Sequence, residues 1–144
     1  HRNVRDASLG LVAPKIRKDL DIPTMVQESA RRNLTAALTV LDTGWLKDRQ
    51  FLVGEHVTLA DLAAYVEIGQ LQSQFTNVFD FTPFPNVDRW LKDMTQIEGH
   101  DDVHVVLAEL GDISEQAPSM DIIRNANRRA LQALKAKLAE IGEG

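Results

Sequence analysis

The residues that most resemble a catalytic motif are two histidines four positions apart, His100 and His104, with Asp101 directly after the first. Histidines at this spacing lie on one face of a helix and can share a zinc ion, as in an H-E-x-x-H site whose acid is the general base. Here the acid is aspartate, and the remaining histidines, His1 and His56, lie on other elements. Acidic residues at a helix start also serve capping and the helix dipole. We therefore predict no metal site.

A second candidate is a pair of arginines near the start of the chain, Arg2 and Arg5, which lie three positions apart and share one helix face. A guanidinium here is suited to pair with a carboxylate of a ligand or of a partner subunit, because its planar donors match two carboxylate oxygens. The alternative is a solvated N-terminal face, which surface arginines commonly form. Spacing alone favours the solvated face.

Thr58 and Asp61 carry the clearest local signal, although it is structural and not catalytic. A threonine at the N-cap and an acid three residues later form a capping box, which satisfies backbone N–H groups of the first helical turn. The acid also lies where the helix dipole favours negative charge. We therefore predict that a helix begins directly after Thr58.

Composition excludes several classes of protein. The 144 residues include no cysteine, which removes disulfide frameworks, thiolate metal sites and cysteine nucleophiles. A formal net charge of −5 argues against a nucleic-acid binder, whose affinity comes from neutralising phosphates. No apolar run approaches the ~20 residues that span a bilayer. The sequence shows no signal-peptide pattern. It also contains no nucleotide-binding or hydrolase motif. Because the chain begins with histidine and not methionine, we expect a piece of a longer protein.

Hydrophobic periodicity predicts helices in the first third of the chain. The first helix is expected to kink or break near residues 12–13, because Pro14 removes a backbone donor and crowds the preceding turn. A second helix is predicted from Thr24 to Leu46. Its apolar stripe steps by three or four residues through Ala30, Leu34, Ala37, Leu38, Leu41 and Trp45.

The middle of the chain holds the most apolar segments. The connector that follows is predicted to pack Phe51, Leu52 and Val53 inward. The helix after Thr58 is expected to be the most buried one, because most of its residues are apolar: Leu59, Leu62, Ala63, Ala64, Val66, Ile68 and Leu71. Phenylalanines in the loop over residues 75–84 are predicted to fill the core, since no basic groove accompanies them for nucleobase stacking.

The last predicted helix, over residues 120–141, carries a seam of apolar residues with 3-4-3 spacing: Leu131, Leu134, Leu138 and Ile141. Residues 119–144 hold five basic and three acidic side chains, whereas residues 98–118 hold six acidic and no basic ones. We expect the last helix to dock on the acidic helix before it. Burial of the seam should supply most of the stabilisation, because surface ion pairs contribute ~0–1 kcal/mol each.

These patterns predict an all-α protein, one helical bundle of five to six helices. Residues 1–112 are predicted to form the domain itself. Residues 113–144 then form a short linker and a C-terminal helix packed on that domain.

The segment FLVGEHVTLADLAAYVEIGQLQ resembles the signature of the C-terminal helical domain of glutathione transferases. The matching positions are Phe51, Leu52, Gly54, Thr58, Ala60 and Asp61. Further along, FPNVDRWLKDM matches a P-x-x-x-x-W stretch of the same family through Pro85 and Trp90. The opening HRNVRDASLG, the segment GHDDVHVVL and the long final helix are most similar to the theta-like subgroup.

The resemblance implies a division of labour between two domains. An N-terminal thioredoxin-like domain, outside this sequence, binds glutathione as co-substrate and in theta-like members supplies a serine that stabilises the thiolate. The helical domain supplies the wall of the pocket for the electrophile, so no catalytic residue is expected in this chain. By this resemblance Arg5, Leu9 and Val12 bind substrate, and Arg2 and Asn3 lie near a dimer interface. Thr58 and Asp61 form the structural capping box.

Two functions follow from the resemblance. The first is the electrophile-binding half of a theta-like glutathione transferase, a cytoplasmic homodimer in detoxification that acts on small electrophiles without cofactor, metal, nucleic acid or membrane. The second is a non-catalytic interaction module, because similar domains also serve assembly in translation factors and synthetase complexes. Whether the chain is part of an enzyme is left open by the residues alone.

Overall fold

The computed structural model describes residues 2–142, and all regular elements in that range are helical. They are α1 (Arg2–Ala7), a π-helical turn (Ser8–Val12), α2 (Ala13–Ile16), α3 (Thr24–Val40), a second π-helical turn (Leu41–Trp45), α4 (Leu59–Ile68), a 3₁₀ turn (Gly69–Leu71), α5 (Pro85–Met94), α6 (His100–Leu110) and α7 (Met120–Gly142). Because the turns continue the helices beside them, the described range contains six continuous helices. The prediction of an all-α bundle is confirmed.

The first helix does not break at Pro14. It continues from α1 through the π turn into α2, with Pro14 in the first turn of α2. The π turn pairs groups five residues apart, so the N–H of Ala13 donates to the carbonyl of Ser8. This wider turn directly precedes the proline, where a regular helix would crowd its ring against the carbonyl of Gly10. The disruption predicted at residues 12–13 is therefore a widened turn rather than an interruption.

The first helix crosses α3 at very short range. Gly10 is buried against Ala30, and a Cβ placed on Gly10 would overlap the Cβ of Ala30. Leu34 and Leu38 are also buried, so this part of the stripe predicted for α3 faces the core as expected.

The predicted stripe fails at its end, where Trp45 is 51% exposed and Leu46 is fully buried. The second π turn explains the difference. The N–H of Leu46 donates to the carbonyl of Leu41, five residues earlier, at 2.8 Å. One extra residue in the turn shifts the helical phase and moves the next position into the core. In the connector, Phe51 and Leu52 are buried as predicted, but Val53 is exposed.

α4 is less buried than predicted. Its buried residues are Asp61, Tyr65 and Ile68, which step by four and three along one face. Leu59 is 80% exposed, and Leu62 and Val66 are also exposed, so a second apolar face points away from the core. Only one face of a short helix can contact the bundle, and the hydrogen bonds of Asp61 decide which one it is. The loop phenylalanines Phe75, Phe79, Phe81 and Phe84 are buried, which confirms their packing role.

α5 receives its N-terminal cap from a distant residue. Its N-cap, Phe84, provides no side-chain hydrogen bond. Instead the buried carboxylate of Asp42 accepts bonds through Oδ1 from the N–H groups of Asn86, at 2.7 Å, and Val87, at 3.0 Å. Asn86 returns a bond from its amide to the carbonyl of Asp42 at 3.0 Å. Asp42 therefore ties the end of the second helix to the start of α5.

We expect the substitution Asp42→Ala to lower the free energy of unfolding by about 1–2 kcal/mol, the usual effect of removing an N-cap. The substitution leaves two N–H groups at the start of α5 without their acceptor. Urea denaturation of the two proteins measures the difference. Asp21→Ala, at an exposed position, is the matched control and should change stability little. Equal stability of the two variants would contradict the role assigned to Asp42.

α7 packs on α6, and two ion pairs join them, Arg129 with Glu109 and Lys137 with Asp102. The basic helix therefore faces the acidic one, as predicted. The prediction that the leucine seam is buried is wrong, because Leu131, Leu134, Leu138 and Ile141 are all exposed. The contact face holds smaller residues at the same helical spacing: Ala126, Ala130 and Ala133 are buried or half-buried. Small side chains allow the two helix backbones to approach closely.

Between residues 2 and 142, no helix has the length and apolar character required to cross a membrane.

Candidate substrate groove

An open groove of about 650 Å³ runs between the first helix and α4. The first helix contributes Arg5, Asp6, Ser8, Leu9 and Ala13, and the end of α4 with the turn after it contributes Val66, Glu67 and Gln70. The groove therefore brings together two of the predicted substrate-binding residues, Arg5 and Leu9. Both side chains are exposed to solvent.

The third predicted residue, Val12, is not part of this groove. It is 8% exposed and belongs to the hydrophobic core, whereas Leu9, three residues earlier, is 54% exposed. Three residues span nearly a full α-helical turn, but the wider π turn over Ser8–Val12 rotates less per residue and sends Val12 inward. The side chains of Arg2 and Asn3, the predicted interface residues, lie outside the part of the chain that the structure describes.

A polar network joins the two walls of the groove. The hydroxyl of Ser8 donates to Oε2 of Glu67 at 2.9 Å, and the side-chain amide of Gln70 donates to the Ser8 oxygen at 2.8 Å. The hydroxyl of Ser8 therefore links the first helix to the Glu67 carboxylate on the facing wall. These three residues were not predicted as site residues. The hydrogen bond from Ser8 to Glu67 joins residues 59 positions apart, and no local sequence pattern predicts it.

The groove offers one exposed cation, two carboxylates and an apolar strip. Arg5 provides the guanidinium, Asp6 and Glu67 the carboxylates, and Leu9 and Val66 the apolar strip. This set of groups suits a small ligand that has an apolar body and a polar substituent. Among the groups that line the groove, the hydroxyl of Ser8 and the carboxylate of Glu67 lie at hydrogen-bond distance, and this pair joins the two walls.

The predicted capping box is present at the start of α4. Oδ2 of Asp61 accepts bonds from the N–H of Thr58 at 2.9 Å and from its hydroxyl at 2.8 Å. Oδ1 accepts from the N–H of Leu52 at 2.8 Å and from the indole N–H of Trp90 at 3.0 Å. Asp61 is fully buried, so this carboxylate joins the connector, α4 and α5 in addition to capping a helix. It lies apart from the residues that line the groove and supports the fold.

The two histidines of the zinc-like motif do not converge on a shared ion. Their rings stack face to face, with centroids 4.2 Å apart and planes 18° apart. His100 is hydrogen bonded through Nε2 to the hydroxyl of Tyr65 and through Nδ1 to Asp101, both at 2.8 Å. His104 uses Nδ1 toward the carbonyl of His100 at 2.7 Å. Three of the four ring nitrogens therefore already have protein partners.

The comparison with protein families agrees with this architecture. The family model described as the C-terminal domain of glutathione S-transferase matches residues 7–98, which include the capping box, α5 and the groove residues other than Arg5 and Asp6. The chain belongs to the glutathione S-transferase C-terminal domain family. This assignment confirms the family resemblance found in the sequence, and the matched range covers the helices from α2 to α5 completely.

Two kinds of curated protein are similar to this chain. Glutathione S-transferase T3 of Arabidopsis thaliana is 28% identical over 152 residues, which is 99% of this chain and 25% of the relative. Elongation factor 1-gamma of Rattus norvegicus is 41% identical over 63 residues, which is 44% of this chain and 14% of the relative. The human elongation factor 1-gamma is 40% identical over the same length. The chain thus spans a quarter or less of each of these relatives.

Proposed function

We propose that this domain is the electrophile-binding half of a theta-like glutathione transferase. In this proposal a thioredoxin-like domain of the same protein holds glutathione and stabilises its thiolate. The groove between the first helix and α4 then holds the electrophile next to the sulfur, so that proximity converts the reaction into an effectively intramolecular one. The sulfur forms the new bond to the electrophile, and this chain contributes binding and orientation.

The groove is the observation that carries this proposal. Arg5 and Leu9, the residues assigned to substrate by the sequence resemblance, line it together with Val66. An apolar strip beside the guanidinium of Arg5 matches an electrophile that carries a polarised group. The Ser8–Glu67–Gln70 network holds the facing wall in position and supports a defined binding geometry.

The theta-like assignment is supported by the fraction of the chain that the similarity covers, and not by the percentage identity. The match to the plant transferase runs along nearly the whole chain, whereas the matches to elongation factor 1-gamma cover less than half of it. We further propose a cytoplasmic homodimer that contacts its partner near Arg2 and Asn3, with glutathione as co-substrate and no other cofactor.

Substitution of Arg5 in the full-length parent protein tests the proposal. We expect Arg5→Ala to lower kcat/KM for an electrophile by about tenfold, which corresponds to the ~1.4 kcal/mol of one charge-assisted contact. The KM for glutathione and the melting temperature should remain at the values of the unmodified protein, because Arg5 is exposed. Arg32→Ala, an exposed arginine on α3, is the matched control. A loss of stability without loss of turnover would assign Arg5 a structural role only.

The second candidate is a non-catalytic interaction module, which the 41% identity to elongation factor 1-gamma favours. The exposed apolar residues Leu59, Leu62 and Val66 on α4 would then form part of a protein contact. The unmodified parent protein separates the two functions. Conjugation of glutathione to electrophiles supports the transferase, and a parent without such activity supports the module.

A further inference from the structure

α6 is attached to the bundle through a titratable residue. His100 is its only buried residue, and α7, which packs on α6, has Ala126 as its only one in the described range. His100 contacts Tyr65 of α4 and Phe75 of the following loop. The α6–α7 hairpin is therefore attached in two places: at the imidazole rings of α6, and at the connecting segment, where Ile113 is fully buried and its N–H donates to the carbonyl of Thr76 at 3.1 Å.

We propose that the stacked pair of His100 and His104 is a proton-sensitive latch, which holds the α6–α7 hairpin against α4 while both rings are neutral and releases it when the pair takes up a proton. This property is independent of the proposed transferase function, since none of the latch residues lines the groove.

The hydrogen bonds define the neutral, closed state of the latch. A carboxylate only accepts, so Nδ1 of His100 carries the proton toward Asp101, and Nε2 accepts from the hydroxyl of Tyr65. Burial raises the pKa of Tyr65, which keeps this hydroxyl protonated. The Tyr65 oxygen in turn accepts from the amide of Gln72 at 3.3 Å. Both ring nitrogens of His100 are therefore engaged in the closed state.

His104 is placed where a charge is costly. Its ring lies between His100 and Phe75, with centroids 4.2 and 5.7 Å away, and meets the Tyr65 ring edge-on at 5.3 Å. Burial lowers the pKa of His104, and the neighbouring His100 lowers it further, against the opposing effects of its bond to the His100 carbonyl and the charge of Asp101.

The charged groups around His104 compensate only in part for a proton on its ring. α6 itself contributes Asp101, whose side chain is fully exposed and therefore screened by solvent. α4 and the loop contribute Tyr65, Gln72 and Phe75, which are neutral. The cations of α7, Lys137 and Arg129, are paired with the α6 acids Asp102 and Glu109.

The direction of the pH effect follows from linkage. In the released state His104 has the ordinary histidine pKa of about 6.5, and in the closed state its pKa is lower, so the released state binds protons more readily. The stability of the closed state is complete above about pH 6.5 and falls as the pH drops from there through the lowered pKa. Release should increase by up to tenfold for each pH unit within that interval.

Hydrogen exchange of this chain at pH 7.5 and 5.5, corrected for the intrinsic pH dependence of exchange, tests the latch. We expect the α6 amides to lose up to about tenfold protection at the lower pH, because pH 5.5 lies one unit below the released-state pKa of about 6.5, while the α4 amides keep theirs. His104→Phe keeps an aromatic stack without a titrating group and should abolish the loss. If that variant does not fold, His104→Gln serves the same purpose.

His56→Gln, at an exposed histidine, is the matched control and should behave as the unmodified chain. The latch is refuted if α6 protection is equal at the two pH values. It is also refuted if the His104 variant loses as much protection as the unmodified chain, or if α4 loses protection in step with α6.

Discussion

The substitution Asp61→Ala is expected to lower the free energy of unfolding by about 3–5 kcal/mol, because it breaks a buried network centred on a charge. Four donors lose their acceptor at once: two groups of Thr58, the N–H of Leu52 and the indole N–H of Trp90. Local capping alone accounts for ~1 kcal/mol of this effect. The remainder comes from leaving the Leu52 and Trp90 donors without a partner inside the core.

Chemical denaturation followed by tryptophan fluorescence measures the loss, since the indole of Trp90 is fully buried whereas that of Trp45 is already 51% exposed. Asp48→Ala is the matched control, because Asp48 is an exposed acid in the neighbouring connector. If Asp61→Ala does not fold to a measurable extent at 37 °C, the experiment is made at lower temperature. A loss below ~1 kcal/mol would mean that the bonds to Leu52 and Trp90 contribute little beyond the cap.

The substitution Gly10→Ala is expected to destabilise the domain by about 1–3 kcal/mol, although it adds only one methyl group. That methyl group would occupy the position already taken by the Cβ of Ala30, so the first helix and α3 must move apart. In an ordinary exposed helix the same change stabilises by roughly 0.5–1 kcal/mol. The sign of the effect therefore reports the close approach of the two helices.

A second substitution provides the control for Gly10→Ala. Ala30→Gly removes the opposing methyl group and should restore part of the stability in the double variant, less the ~1 kcal/mol cost of glycine within a helix. Gly44→Ala is the matched single variant, because nothing lies near a Cβ at that position. Equal effects of the alanine substitutions at Gly10 and Gly44 would contradict the close crossing.

The sequence predicts those features of the fold that depend on neighbours along the chain. The capping box joins residues three positions apart, and the start of α3 directly follows Pro23, so both were predictable. The cap of α5 was not, because Asp42 lies more than forty positions from the N–H groups it binds. The burial of Leu46 in place of Trp45 depends on a π turn, which a constant helical period cannot represent.

The groove was predictable only in part for the same physical reason. Arg5 and Leu9 share one face of the first helix, so one wall follows from spacing together with family resemblance. The opposite wall, with Glu67 and Gln70, depends on how α4 crosses that helix. For α7, the apolar seam indicated a contact surface, but alanines make the contact with α6, and periodicity does not distinguish the two faces.

The bonds of Asp61 also constrain the order in which the chain assembles. Those to Thr58 close a loop of three residues and can form while the rest of the chain is still a coil, whereas the bond to Trp90 must close a loop of 29 residues. Asp61 can therefore nucleate α4 early, and its hydrogen bond with the Trp90 indole forms only when α5 packs against α4. A φ-value near one for a substitution at Thr58, together with a low φ-value for a substitution at Trp90, would show this order of assembly.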